Sequence, residues 1–229
     1  MDIHKPKPWH GLREFLKEYL IIVVGVLTAL GAEQVAEWLH LRHETAEARE
    51  VLRIEIEHDL RTIRLNTQQD LCVHPYLRRL IAWTEGDARP PAAAFFFNEL
   101  SSSAWETAKT GAVARMPLKD RMAYVRFYER VETYNALVSR EWDITGQIGA
   151  RWRQGTLKPD EARALQFAAL NYDGLLRIKI AQQADFERRA KSLGIKTPEL
   201  RPEDRDYLAK VCALVTAPPA GPAKPTDGF

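Results

Sequence analysis

Between Tyr19 and Ala32 the chain reads YLIIVVGVLTALGA, fourteen residues without a charge in a protein in which 28% of residues are charged. Such a run has few options: it sits in a hydrocarbon phase or in a protein core. At 1.5 Å per residue a helix of that length covers about 21 Å, short of the roughly 30 Å hydrocarbon core of a bilayer. Phe15 and Leu16 on one side, and Val35, Ala36, Trp38 and Leu39 on the other, extend the apolar helix over 15–39. Lys17, Glu18 and Glu33 then fall near the headgroups, where long charged side chains reach water. Trp9, Tyr19 and Trp38 stand where an aromatic belt is expected.

This pattern predicts a transmembrane helix and leaves two rivals open. A cleaved signal peptide shares the basic start, and Ala29-x-Gly31 offers a small-x-small cleavage site. A buried soluble helix is the other, although a globular helix usually carries a polar stripe that this run lacks. The missing polar face also excludes an interfacial amphipathic helix. Lys5, Lys7, Arg13 and Lys17 precede the run, and only Arg42 and Arg49 follow closely. Basic flanks tend to stay in the cytoplasm, so the expectation is a single-pass inner-membrane protein with its amino terminus inside and its bulk in the periplasm.

The expected organisation is a basic tail over 1–14, the transmembrane helix over 15–39, an α-helical soluble domain over 40–215 and a disordered Pro-rich tail over 216–229. The soluble part is long enough for one core. A formal charge of +2 provides no field for nucleic acid, which is excluded as a partner. Leu52, Ile56, Leu60 and Ile63 form a helical stripe, so the anchor helix is expected to run on to about Leu71. A short helix with Leu77, Leu80 and Ile81 should start after Pro75, and another through Phe97, Leu100, Ala104 and Ala108 should close on Gly111 as a left-handed cap. Val113 to Met116 is the one segment allowed as extended.

Leu118, Met122, Val125, Tyr128, Val131, Tyr134, Val138, Trp142, Ile148 and Trp152 predict a long helix ending at Gly155. Pro159, Asp160 and Glu161 open the next, with the stripe Leu165, Ala169, Tyr172, Leu176 and Ile180, a weak point at Gly174 and a stop at Gly194. Leu208, Cys212 and Val215 make a last short helix. The predicted fold is all-α: a transmembrane helix continuing into a long helix, followed by an antiparallel helical bundle.

Gly25, Ala29-Leu30 and Trp38 before a long charged helix, and then Ala104 to Lys109, Gly111, Leu118 and Tyr124 to Tyr128, resemble an uncharacterised bacterial family of single-pass membrane proteins, a domain of unknown function. The resemblance touches about a third of the chain. It implies a retained anchor and implies no activity.

Gly25, Ala29 and Glu33 recur at steps of four and share one helix face. Small residues in that pattern let membrane helices approach closely, and an acid among them can bond across a dimer; the alternative places Glu33 in the headgroups. This is the candidate pairing face for a homo-oligomer. Cys72 and Cys212 are the only cysteines. In an oxidising compartment they are candidates for a disulfide between the first long helix and the last, with plain core packing as the alternative.

Glu37-x-x-His40 and Glu55-x-x-His58 match the Glu-x-x-His unit of di-iron bundles, but both lie on one helix about 27 Å apart, so solvated surface is the expected reading. His40, His43, Glu44 and Glu47 form a juxtamembrane cluster with metal-binding residue types. Trp105, Trp142 and Trp152 are expected in the core, with a pocket between helices as the alternative. Ser101 to Ser103 read as a polar break without a nearby histidine. The sequence holds no nucleophile elbow, phosphate loop or dinucleotide fingerprint, so no cofactor is expected. The functional expectation is a non-catalytic membrane-anchored scaffold that self-associates or holds a protein partner. A small-molecule sensor is the second reading, and a metal-dependent bundle enzyme the third.

Overall fold

A computed structural model describes residues 11–92 and 97–218. The described chain is all-α: α1 (Leu12–Thr84), α2 (Ser103–Ala108), a 3₁₀ turn (Val113–Arg115), α3 (Leu118–Gln154), α4 (Pro159–Ser192) and α5 (Pro202–Thr216), with no strand among the described residues. It divides into two compact units, with the boundary between Glu47 and Ala48 inside α1.

In the first unit the side chains of α1 face outward. Ile21, Ile22, Leu27 and Leu30 are all more than half exposed. The helix is long and apolar enough to cross a membrane, and 0% of that apolar stretch is buried within the protein. Thr28 Oγ1 donates to the Val24 carbonyl at 2.7 Å, so the one aliphatic hydroxyl in the run satisfies itself within the helix. The Arg42 guanidinium stands 5.3 Å from the Trp38 ring centre.

In the second unit, the rest of α1 packs with α3, α4 and α5 around one core. Arg130 pairs with Asp185 and Glu141 with Lys179, so α3 and α4 run antiparallel. Asp70 meets Lys179 and His74 meets Asp173, which sets α1 antiparallel to α4 as well. The expected apolar stripes supply the core: Leu52, Ile56, Leu60 and Ile63 from α1 meet Phe127, Val131 and Val138 from α3 and Leu165, Tyr172, Leu176 and Phe186 from α4. Each fully buried aliphatic or aromatic side chain of this kind contributes about 1.5 to 3 kcal/mol.

Local chemistry sets most helix ends as expected. Gly155 (φ 81°) terminates α3 and Gly194 (φ 77°) follows the end of α4, both in the left-handed region that only glycine enters freely. Pro159 starts α4, and the Glu161 carboxylate accepts the Lys158 N–H at 2.8 Å. Asp204 does the same for Arg201 at the start of α5, at 3.0 Å. Gly174 does not break α4, which is continuous.

Four expectations about the elements fail. No new helix starts after Pro75, because α1 runs through it to Thr84. Proline removes the bond to the Leu71 carbonyl, but Leu71 and Pro75 lie on the exposed face, where water reaches that carbonyl. Val73, Tyr76, Leu77 and Leu80 on the opposite face are buried and hold the helix. Phe97 and Leu100 are not helical, and only Ser103–Ala108 is. Val113 to Arg115 form a 3₁₀ turn, not an extended piece. Gly111 takes no positive φ, so it is no left-handed cap. Of the tail expected to be disordered over 216–229, Thr216 is instead the last residue of α5 and the Ala217 carbonyl accepts from Arg79, while 219–229 lie outside the described residues.

Candidate functional site

The segment 97–102 is held out of a helix and builds the floor of a cleft. Its backbone groups are taken by side chains of the long helices. Asn98 O accepts from Asn66 Nδ2 at 2.9 Å. Leu100 exchanges both backbone bonds with the Asn135 amide, at 2.8 and 2.9 Å. Ser101 N donates to Asp59 Oδ1 at 2.8 Å, while Glu55 accepts from Ser101 Oγ, Ala104 N and Tyr128 Oη, each at 2.8 Å. Glu55 thus holds the amino end of α2, where a carboxylate is favoured.

This overturns the surface reading of the Glu55-x-x-His58 unit. Glu55 is buried with its oxygens occupied, whereas His58 is exposed. Glu37 and His40 are exposed, as expected of solvated surface. Burial pushes the Asp59 carboxyl up to about 8, against the opposing hydrogen bond from Ser101, and nearby Glu55 adds to the rise. Its Oδ2 is buried and meets no partner.

A second polar group lies deeper. Lys179 of α4, 1% exposed, places Nζ 2.5 Å from Glu141 Oε2 and 3.2 Å from Asp70 Oδ2, whose side chains are 0% and 1% exposed. Nζ also stands 5.7 Å from the Phe97 ring and 5.9 Å from the Tyr134 ring. Desolvation raises both carboxyls against the attraction of Lys179, carrying Asp70 to about 7. Two carboxylates and one ammonium leave one excess negative charge in a dry site, which a proton on one carboxyl removes.

None of these three residues stood out in the sequence, where charges read as solvated faces. A signal was present: the α3 stripe Val131, Tyr134, Val138 continues at a step of three to Glu141. The expected step of four leads to Trp142, which is instead 51% exposed. Extending Tyr172 and Leu176 by three likewise lands on Lys179, and not on Ile180.

Trp142 lines a cleft of about 510 Å³ with Phe97, Asn98 and Glu99, with His58, Arg61, Thr62 and Leu65 of α1, and with Arg201 and Asp204 at the start of α5. The four α1 residues share one face. Trp142 packs edge-on against Phe97 at 5.3 Å between ring centres. The other two tryptophans are part of the packing, as expected: Trp105 stacks on Tyr128 at 4.8 Å, and Trp152 Nε1 donates to the Pro90 carbonyl at 3.0 Å beneath the Arg89 guanidinium. Lys179, Asp70 and Glu141 do not line the cleft, whereas Phe97, 5.7 Å from Lys179 Nζ, does.

Gly25, Ala29 and Glu33 all lie exposed on α1, and a Cβ added at Gly25 would meet nothing within 4 Å. His40 pairs with Glu44 and His43 with Glu47, each at 3.1 Å on the surface; among the described residues no three metal-ligating side chains cluster. Cys72 and Cys212 are joined as a disulfide, Cα to Cα 5.3 Å, across 140 residues of chain.

No family model, curated protein or solved structure matches this chain.

Proposed function

We propose that this chain is a single-pass inner-membrane protein with its amino terminus in the cytoplasm and its helical domain in the periplasm, working by association and not by catalysis. The observation that carries the reading is the apolar stretch of α1, whose side chains find no core within the protein. Leaving so many large apolar groups in water is unfavourable, and a bilayer removes that cost. The basic residues before the run and the Cys72–Cys212 pair, which suits an oxidising compartment, support the orientation. The resemblance to an uncharacterised family of single-pass membrane proteins supports a retained anchor. In this reading Gly25, Ala29 and Glu33 pair two anchors, and the domain holds a second copy or another protein.

The test is topology. A reporter enzyme active only outside the membrane and a fluorescent protein that folds only in the cytoplasm are each fused after Val215, and the cells are fractionated. Enzyme activity in the membrane fraction is expected. Fluorescence with the chain in the membrane fraction overturns the orientation, and recovery of the intact chain from the soluble fraction overturns the anchor.

A second reading is favoured by one observation, the cleft with Trp142 exposed on its wall: the domain senses a small molecule there.

A further inference from the structure

Arg61 differs from its neighbours in having nothing to bind. Arg53 pairs with Glu50 and Glu57, Arg64 with Glu199 and the Pro198 carbonyl, and Arg49 with Asp120. Arg61 makes no ion pair or hydrogen bond to any described residue, and its Nε is buried without an acceptor. A guanidinium in water needs no partner. One whose N–H is withdrawn from water and left unmet is unfavourable. Arg61 lines the cleft, where an acceptor that comes from outside can meet the guanidinium nitrogens that no described residue occupies.

The rest of the lining describes that acceptor's carrier. Leu65, Phe97 and Trp142 give the cleft an apolar wall with two aromatic faces, and its volume of about 510 Å³ falls in the range of small-molecule sites. Glu99 and Asp204 also line it, which disfavours a dianion such as a phosphate monoester. Neither acid argues for a cationic ligand. Glu99 is exposed to water, and Asp204 already accepts the Arg201 N–H at 3.0 Å. A planar guanidinium suits the two oxygens of a carboxylate.

We propose that the cleft between α1, α3 and the start of α5 binds a small organic monocarboxylate with a flat apolar body, its carboxylate on Arg61 and its body against Trp142, Phe97 and Leu65. This deepens the sensing reading and rests on it.

The experiment titrates the full chain in detergent with naphthalene-2-carboxylate and, separately, with its neutral carboxamide, against a detergent blank. The carboxylate should bind saturably, and the carboxamide about tenfold or more weakly, the worth of one charge-assisted contact. Arg61→Gln should cut carboxylate affinity by about tenfold or more and leave the carboxamide unchanged. Trp142→Ala should weaken both. Arg61 holds no other described residue, so the thermal melt of Arg61→Gln should lie no lower than that of the unmodified chain, which serves as the folding check. Equal binding of both probes, lowered by Trp142→Ala and untouched by Arg61→Gln, overturns the carboxylate assignment and leaves the sensing reading standing. Saturable binding of neither probe at millimolar concentration overturns both.

Discussion

Lys179 sits at a position where its helix should carry an apolar side chain, and its two carboxylate partners come from different helices, α1 and α3. The group is therefore a three-helix junction whose value is conditional: each charge is tolerated only with the others. Lys179→Met should cost about 3 to 5 kcal/mol in denaturant unfolding, because it strands buried acids. Adding Asp70→Asn and Glu141→Gln should recover much of that loss. A second residue-scale prediction concerns Asp59, whose folded carboxyl lies near 8 against an ordinary 3.8. The folded chain holds this proton more tightly than the unfolded chain, so its contribution to stability falls as pH rises from about 4 to about 8. Asp59→Asn mimics the protonated acid and still accepts the Ser101 N–H. Thermal melts should show the variant close to the unmodified protein near pH 4 and more stable above pH 8.

At the scale of elements, α2 shows how a six-residue helix persists. It is too short to stand alone in water, and none of its residues is buried. Glu55 and Asp59, one turn apart on α1, hold the backbone that leads into it. α5 is fastened similarly, by Cys212 to Cys72, by Tyr207 Oη donating to Gln69 Oε1 at 2.8 Å, and by Arg79 reaching the Val215 and Ala217 carbonyls at 3.1 and 2.8 Å. The disulfide closes a loop of 140 residues, which by the chain-entropy argument is worth about 4 to 5 kcal/mol. Cys72→Ser/Cys212→Ser, or reductant added to the unmodified chain, should lower the denaturant midpoint accordingly. An unchanged midpoint would mean that the thiols do not pair in solution.

For the whole molecule, the two units meet the same physical problem differently. From Ala48 onward the apolar stripes bury one another; before it they bury nothing within the chain. An exposed apolar helix needs a solvent of its own, and in a bilayer its contacts with other helices are set by shape and by polar groups. Gly25, Ala29 and Glu33 offer such a face. If it pairs two chains, Gly25→Ile with Ala29→Ile should convert a dimer to a monomer in the detergent-solubilised mass, without changing the melt of the helical domain. An unchanged mass would remove this face from the mechanism.

The all-α class, the long helices and their glycine and proline boundaries at 155, 159 and 194 were legible because they depend on neighbours in sequence: periodicity, capping and φ preference. The unburied apolar run was legible for the same reason. The polar interior was not. Lys179, Asp70, Glu141, Asp59 and Glu55 look like surface until partners 38 to 109 residues away face them, because a charge is admitted to a core only by groups that satisfy it. Arg61 shows the converse. Its character comes from the absence of any partner among the described residues, and that is visible only once every helix is in place.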